Sequence, residues 1–190
     1  MLNPDLLKSA LQALKFKPNI DLFPSRINKQ LDKYVTFLPD PDAFAVDAFS
    51  INWSHYKFVA FPPFALVSRT LQKIQEDQAT GVVVEPYWPN QVYYPVLIEM
   101  LIDNPVILTA RNNLLQLPST PYKTHRLYKH LKMLVCRVSG CNMKITAFQK
   151  TLSMSLSHHG DLTPGKYTQP RSANGRNLQL RGIHIPHRRL

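Results

Sequence analysis

The sequence predicts an α/β fold in which a small, mostly parallel sheet is flanked by helices and followed by a largely irregular basic C-terminal tail. Between residues 57 and 108, short apolar runs alternate with stretches of helical periodicity, which is typical of parallel strands joined by crossover helices. Apolar residues form 44% of the 190-residue chain, enough to supply a core. Basic residues are unevenly spread: residues 121–190 hold thirteen Lys and Arg and one acid, whereas residues 1–120 hold ten Lys and Arg and eleven acids.

The first fifty residues predict one helix and three short strands. Asn3 and Pro4 make a good helix start, because an asparagine side chain can cap the first turn and proline fits within it. Apolar residues at three- and four-residue spacing extend this helix over residues 4–16, and Pro18 ends it. Short apolar runs predict the strands, which are Asn19–Phe23, Tyr34–Phe37 and Ala43–Phe49.

The middle of the chain predicts the alternating part of the fold. Strands are expected at Lys57–Phe61, at the β-branched run Val82–Val84 and at Val106–Leu108. Helices are expected over residues 64–78 and 95–102, where apolar residues recur with helical spacing.

A change of composition near Leu117–Pro121 divides the chain. It predicts an α/β domain over residues 1–117, a linker over 118–124 and a basic, helical or disordered tail over 125–190. Within the tail, residues 125–136 and 145–156 have helical spacing. From His158 onward there is little periodicity and much Gly, Pro, Asn and Arg, which is typical of irregular chain.

The candidate site residues follow predicted strands. In open parallel sheets, ligands bind beyond the carboxyl ends of the strands, which is where Pro62, Pro63 and Phe64 stand. Phe64 could stack on a base there, or it could pack inward behind a stiff turn. Asp21 and Asp47 could accept hydrogen bonds from a ribose or an amine, or they could be solvated loop acids. The segment Glu85–Gln91, with Trp88 at its centre, could hold a planar ligand or bury its aromatic rings.

The basic residues of the second half predict affinity for DNA or RNA, because cations that neutralise phosphates release counterions. These candidates are Lys129, Lys132, Arg137, Arg171, Arg176, Arg181, Arg188 and Arg189. A merely solubilising tail is the competing interpretation. The spacing of Cys136, Cys141, His158 and His159 does not suit one tetrahedral ion, so no metal site is predicted. The chain shows no apolar run long enough to span a membrane and no signal-peptide pattern, so an intracellular location, in nucleus or cytoplasm, is expected.

Several motifs, taken in order, resemble a known family. These are Asp21–Asn28, Val46–Phe49 with Trp53, Ala60–Phe64, Leu71–Ile74, Trp88–Pro95 and Leu134–Gly140. Together, over about residues 15–145, they resemble the polyproteins of DIRS-type tyrosine-recombinase retrotransposons, in the region that follows the reverse transcriptase and RNase H parts. The resemblance implies that other parts of such a polyprotein are partners.

That region is similar in turn to phage-type adenine DNA methyltransferases. The similarity implies that Pro62 and Pro63 present carbonyls to a flipped adenine, that Phe64 stacks on it, and that Asp21, Phe23 and Asp47 face S-adenosylmethionine. Two features depart from the family pattern. Phe61 stands where an Asn or Asp should accept the hydrogen bond of the amine. In addition, Gly81 is the only glycine among the first 120 residues, so the glycine-rich cofactor turn is missing.

The resemblance and its departures together predict a non-catalytic, methyltransferase-like module that binds nucleic acid within a retrotransposon polyprotein. Two alternatives stay open. One is an active adenine-specific DNA methyltransferase that uses S-adenosylmethionine. The other is a decayed gene fragment without an activity of its own.

Overall fold

A computed structural model of the chain describes residues 2–24, 26–110, 114–117, 120–124, 131–157, 178–180 and 183–190. Within these residues, the α-helices are α1 (Pro4–Ala13), α2 (Val67–Glu76), α3 (Tyr94–Glu99) and α4 (Asn142–Ser157). The strands of the first part are β1 (Ile20–Asp21), β2 (Val35–Thr36), β3 (Ala45–Val46), β4 (Lys57–Ala60), β5 (Thr80–Pro86) and β6 (Val106–Leu108). Those that follow are β7 (Gln116–Leu117), β8 (Thr120–Thr124), β9 (Met133–Ser139), β10 (Gln179–Leu180), β11 (Ile183–His184) and β12 (Arg188–Arg189).

Six of the strands form one sheet in the order β1-β4-β5-β9-β6-β12. The pairs β1–β4, β4–β5 and β6–β12 are parallel, whereas β9 runs antiparallel to both of its neighbours, β5 and β6. The prediction of an α/β fold with a small, mostly parallel sheet is therefore confirmed. Strands β2 and β3 pair with each other in a separate two-stranded sheet.

The sheet is covered on both faces. Helix α1 packs on one face, where its residues Leu7 and Ala10, and Leu14 directly after it, join a cluster with valines of the central strands. Helices α2 and α3 pack on the other face, and residues of α4 join them there. Since a sheet with two buried faces needs apolar side chains on both sides of each strand, β5 reads as an almost unbroken apolar run.

The helix and strand predictions for residues 4–108 agree with the structure in type and order, although most elements are shorter than predicted. The strand expected over 43–49, for example, is reduced to β3 and is followed by a 3-10 turn at Ala48–Ser50. Asn3 caps α1 as predicted, because its side-chain oxygen accepts hydrogen bonds from the backbone N–H groups of Asp5 and Leu6. The helix expected over 64–78 begins with a 3-10 turn at Phe64–Leu66 and continues as α2. Gly81 follows, and a β-carbon there would lie about 2.5 Å from the buried ring of Phe58.

The predicted division of the chain at residue 117 is wrong for the sheet. Strand β9 lies in the region assigned to the tail, yet it is a central strand that pairs with β5 over seven residues. For the same reason, the helix expected over 125–136 is wrong at residues 133–136. The apolar run Met133–Cys136 carries buried side chains on both faces of the sheet, so these residues pair as a strand.

Other parts of the second half are ordered as well. Helix α4 confirms the helix expected over 145–156, and β12 adds a parallel edge strand beside β6. In the predicted linker, residues 120–124 form β8, which pairs with β7. The irregular chain predicted from His158 lies, up to residue 177, outside the described residues.

Candidate functional site

A cleft of about 410 Å³ opens at the carboxyl ends of β1 and β4. It brings together five of the residues that the sequence singled out, which are Asp21, Phe23, Pro62, Pro63 and Phe64. The remaining walls come from α1, from the loop that follows β1 and from the ends of β4 and β5. These residues are Leu2, Leu7, Pro24, Asn28, Gln30, Val59, Phe61 and Val84.

The parallel pairing of β1 with β4 explains why two distant segments meet here. Asp21 lies level with Val59, and the backbone N–H of Leu22 donates a hydrogen bond to the Val59 carbonyl at 3.0 Å. Both strands end within two residues of this point, so the segments that follow them leave the sheet side by side. The cleft is the space between those segments.

Asp21 is a buried acid, with 5% of its surface exposed. Its Oδ2 accepts a hydrogen bond from the backbone N–H of Gln30 at 3.0 Å. Burial raises the pKa of this carboxyl from 3.8 to about 6, against the opposing effect of hydrogen bonds from the backbone of Gln30 and Phe23. The cleft therefore contains a group whose charge changes near pH 6.

The Phe61–Phe64 segment presents rings and prolines to the cleft. Pro62 is buried, whereas Phe64 keeps 47% of its surface exposed. The ring of Phe64 packs edge-to-face against Trp88, with 4.9 Å between the ring centroids. The Pro63 carbonyl accepts a hydrogen bond from the backbone N–H of Leu66 at 2.8 Å, which starts the 3-10 turn. Phe64 is thus a rim residue, supported on one side by Trp88 and open on the other.

The three residues expected to face a cofactor occupy different surroundings. Asp21 and Phe23 line the cleft, and the ring of Phe23 also packs edge-on against Phe49 and Trp53. Asp47 lies outside the residues that line the cleft. It has a positive φ of 58° and its Oδ1 accepts a hydrogen bond from the Phe49 backbone at 3.0 Å, so it caps a 3-10 turn next to β3. Asp47 was predicted to face a cofactor, but in this fold it caps a turn and does not line the cleft.

The described basic residues do not gather at the cleft. Arg188 and Arg189 are exposed on β12, the edge strand farthest from β1 in the sheet order. Arg137 is half-buried on β9, where it pairs with Asp103 at 3.6 Å and lies over the ring of Phe16. Lys132 precedes β9 and is half-buried. Four further candidates lie outside the described residues: Lys129, Arg171, Arg176 and Arg181.

Two kinds of residue escaped the sequence prediction. Asn28 and Gln30 line the cleft because the loop after β1 folds back onto Asp21. Asn28 belongs to the motif Asp21–Asn28, whereas no pattern in the sequence singled out Gln30. Glu85 was noted as part of an aromatic segment, but it is fully buried at the end of β5. Within the described part of the chain, neither of its carboxylate oxygens has a hydrogen-bond partner, and burial raises the pKa of Glu85 to about 9.

In the ranges that the structure describes, no three His, Cys, Asp or Glu side chains come together as a metal site. Cys136 is buried and Cys141 is half-buried, whereas His158 and His159 lie outside those ranges. No described helix has the length and apolar composition needed to cross a membrane.

Comparison with models of known protein families finds no match to this chain, and comparison with curated proteins finds no significant similarity. The meeting of Asp21 with Pro62, Pro63 and Phe64 in one cleft is therefore the observation from which a function must be inferred.

Proposed function

We propose that the chain is a non-catalytic, methyltransferase-like module that binds nucleic acid, as part of a retrotransposon polyprotein. Its cleft accepts one unpaired base. The observation that supports this proposal is the convergence, about 40 residues apart in sequence, of Asp21 and Pro62–Phe64 on one cleft at the carboxyl ends of parallel strands. The cleft volume of about 410 Å³ falls within the usual range of small-ligand sites.

The walls of the cleft suit a planar, polar-edged ligand. Phe61, Phe64 and the two prolines offer flat apolar surfaces, and a base can stack on an exposed aromatic ring. At the other side, the Asp21 carboxyl can accept hydrogen bonds from amino or hydroxyl groups. The side chains of Asn28 and Gln30 stand beside it and carry both donors and acceptors.

Two features favour binding without methyl transfer. Phe61 lines the cleft where an adenine methyltransferase would need a hydrogen-bond acceptor, and a phenyl ring cannot fill that role. The residues after β1 also do not fit S-adenosylmethionine well. Instead of a glycine turn, the chain continues as buried Leu22, then Phe23 and buried Pro24, which occupy the space that a close backbone approach would require.

The enzyme alternative is tested directly. Calorimetric titration with S-adenosylmethionine is expected to show no heat of binding, and incubation with DNA and labelled cofactor is expected to transfer no methyl groups. Methyl transfer to adenine would replace this proposal by the active-enzyme alternative.

Replacing Phe64 with alanine is expected to weaken binding of a short single-stranded oligonucleotide about tenfold or more, because the stacking surface at the rim is lost. Titration of the intrinsic fluorescence would follow the binding, since Trp88 contacts Phe64 whereas Trp53 is fully buried. Phe64→Tyr, which keeps the ring, is the matched control and should bind like the wild type. An unchanged affinity of F64A together with a lowered Tm would show that Phe64 serves only in packing.

The salt dependence tests the basic edge strand. The double variant R188Q/R189Q is expected to reduce the slope of log Kd against log salt by about 1.4 for a single strand, the value for two lost phosphate contacts. The strand itself should persist, because its pairing uses the backbone N–H groups of Arg188 and Leu190. K15Q/K57Q removes two exposed cations elsewhere and serves as the control. Equal slopes for the wild type, R188Q/R189Q and K15Q/K57Q would show that β12 does not contact the nucleic acid.

A further inference from the structure

Three large apolar side chains that the proposed function does not use stand exposed around one groove. Phe37 keeps 84% of its surface exposed, Ile27 74% and Leu38 69%. All three line a groove of about 380 Å³ whose remaining walls include three prolines, Pro24, Pro39 and Pro41. Single exposed apolar residues are ordinary on a protein surface, but a cluster of them around a concavity is typical of an interaction site.

The backbone that displays these side chains is held in place. Thr36 belongs to β2, which pairs with β3, and its Oγ1 donates a hydrogen bond to the Leu38 carbonyl at 2.6 Å. The Tyr34 hydroxyl donates to Asp40 Oδ2 at 3.1 Å, and the backbone N–H of Asp42 donates to Asp40 Oδ1 at 3.0 Å. The outward position of Phe37 is therefore fixed before any partner arrives, which lowers the entropy cost of binding.

The groove carries charges of both signs, with a net of −1 from Arg26, Asp40 and Asp42. Arg26 and Asp42 form an ion pair at 3.3 Å, and their side chains are 68% and 61% exposed. Such an exposed pair contributes little to stability on its own, so Arg26 and Asp42 can each give up this ion pair for one with another molecule at low cost in free energy. Because one base, Arg26, stands here with two acids, Asp40 and Asp42, the surface lacks the excess positive charge that a nucleic acid would require.

We propose that this groove surface, formed by residues 24, 26–27 and 36–42, binds the same surface of a second copy of the chain about a two-fold axis. A two-fold interface needs a surface that complements itself. This one carries a projecting ring next to a groove and a cation next to an anion. In the dimer, Phe37 enters the groove of the other copy, and Arg26 faces Asp42 of the partner subunit.

The groove surface adjoins the cleft, since Pro24 lines both. Dimerisation would thus bring two clefts into one assembly. The inference does not rest on nucleic-acid binding, because none of the exposed apolar residues named above lines the cleft.

Sedimentation velocity over a concentration series tests the proposal with the full chain. The wild type is expected to be a reversible dimer, and F37D is expected to dissociate at a concentration at least tenfold higher. V92D places the same charge on another highly exposed apolar residue, 87% exposed, and should remain dimeric. A wild type that stays monomeric throughout, or a V92D variant that dissociates equally, would overturn the proposal. Circular dichroism checks that F37D is folded, which is expected because Phe37 is not part of the core.

A charge exchange tests the two-fold arrangement itself. R26D places an acid opposite Asp42 of the partner subunit, and D42R places a base opposite Arg26 of the partner subunit, so each variant alone should repel its own copy and remain monomeric. Mixed in equal amounts, the two variants should form a dimer, because each then meets the opposite charge. If both are folded and their mixture remains monomeric, the proposed pairing of Arg26 with Asp42 is wrong.

Discussion

Gly140→Ala is expected to lower the free energy of unfolding by about 3 kcal/mol, the upper end of the usual cost of overpacking. Gly140 directly follows β9, and its backbone N–H donates to the Ala79 carbonyl at 2.9 Å. A β-carbon on Gly140 would approach the Ile74 carbonyl and the Gln75 Cα within 3.0 Å. Both are backbone atoms in the last turn of α2, so neither can move without shifting the helix against the sheet.

Chemical denaturation of G140A measures this effect, and Gly81 supplies the matched comparison. A β-carbon on Gly81 would also be too close to its neighbour, but that neighbour is the side chain of Phe58. The loss in G81A should therefore be partly recovered in G81A/F58L, where the ring is gone. No such side-chain change should rescue G140A. A G140A protein as stable as the wild type would mean that the contact between β9 and α2 is looser than described.

Glu85→Gln is expected to raise the free energy of unfolding by about 3 kcal/mol at pH 7. The Glu85 pKa is about 9 in the folded protein, against 4.5 for an exposed glutamate. The folded state thus holds a proton that the unfolded state releases above pH 4.5. Stability from this group is complete below that pH and is lost, by about 1.4 kcal/mol per unit, as the pH rises toward 9. Glutamine keeps the shape of the neutral acid and has no proton to lose.

Unfolding curves between pH 6.5 and 8 isolate the contribution of Glu85. Below this window Asp21 also titrates, because its pKa of about 6 is raised for the same reason. Above it, burial raises the pKa of Cys136, which adds a loss of the same sign. The wild type should lose about 2 kcal/mol across the window. E85Q should lose almost none, and E85M should behave like E85Q. Parallel curves for wild type and E85Q would show that Glu85 is charged and solvated in the folded state.

The sequence predicted the parts of the fold that depend on local patterns. Helix α1 follows from its cap and its apolar spacing, and the alternation from β4 to β6 follows from changes of period. The position of Pro62–Phe64 at the rim follows from the rule for strand ends. Asp21 and Asp47 looked alike, since each follows a short apolar run. Only the tertiary fold shows that the run at Asp21 joins the main sheet as β1, whereas the run before Asp47 pairs with β2 in a separate two-stranded sheet.

Strand β9 could not be predicted in the same way, because its place depends on partners far away in sequence. Its register joins Val83 to Cys136 on one side and Ile107 to Leu134 on the other. Residues 131–136 taken alone fit a basic helix as well as a strand. The pairing with two neighbours decides between them, and no local pattern reports that pairing. Glu85 is similar, since a glutamate at a strand end is normally exposed.

The placement of β9 between two strands that precede it in the sequence has a consequence for biosynthesis. Strands β5 and β6 leave the ribosome first, yet they do not touch each other in the finished sheet, because the space between them belongs to a strand that is made later. Until residue 139 has emerged, the edge of each strand that β9 will pair with presents unpaired backbone N–H and C=O groups. In the nascent chain, the position between β5 and β6 must therefore stay unoccupied. The two strands become protected from premature association when β9 pairs with both of them.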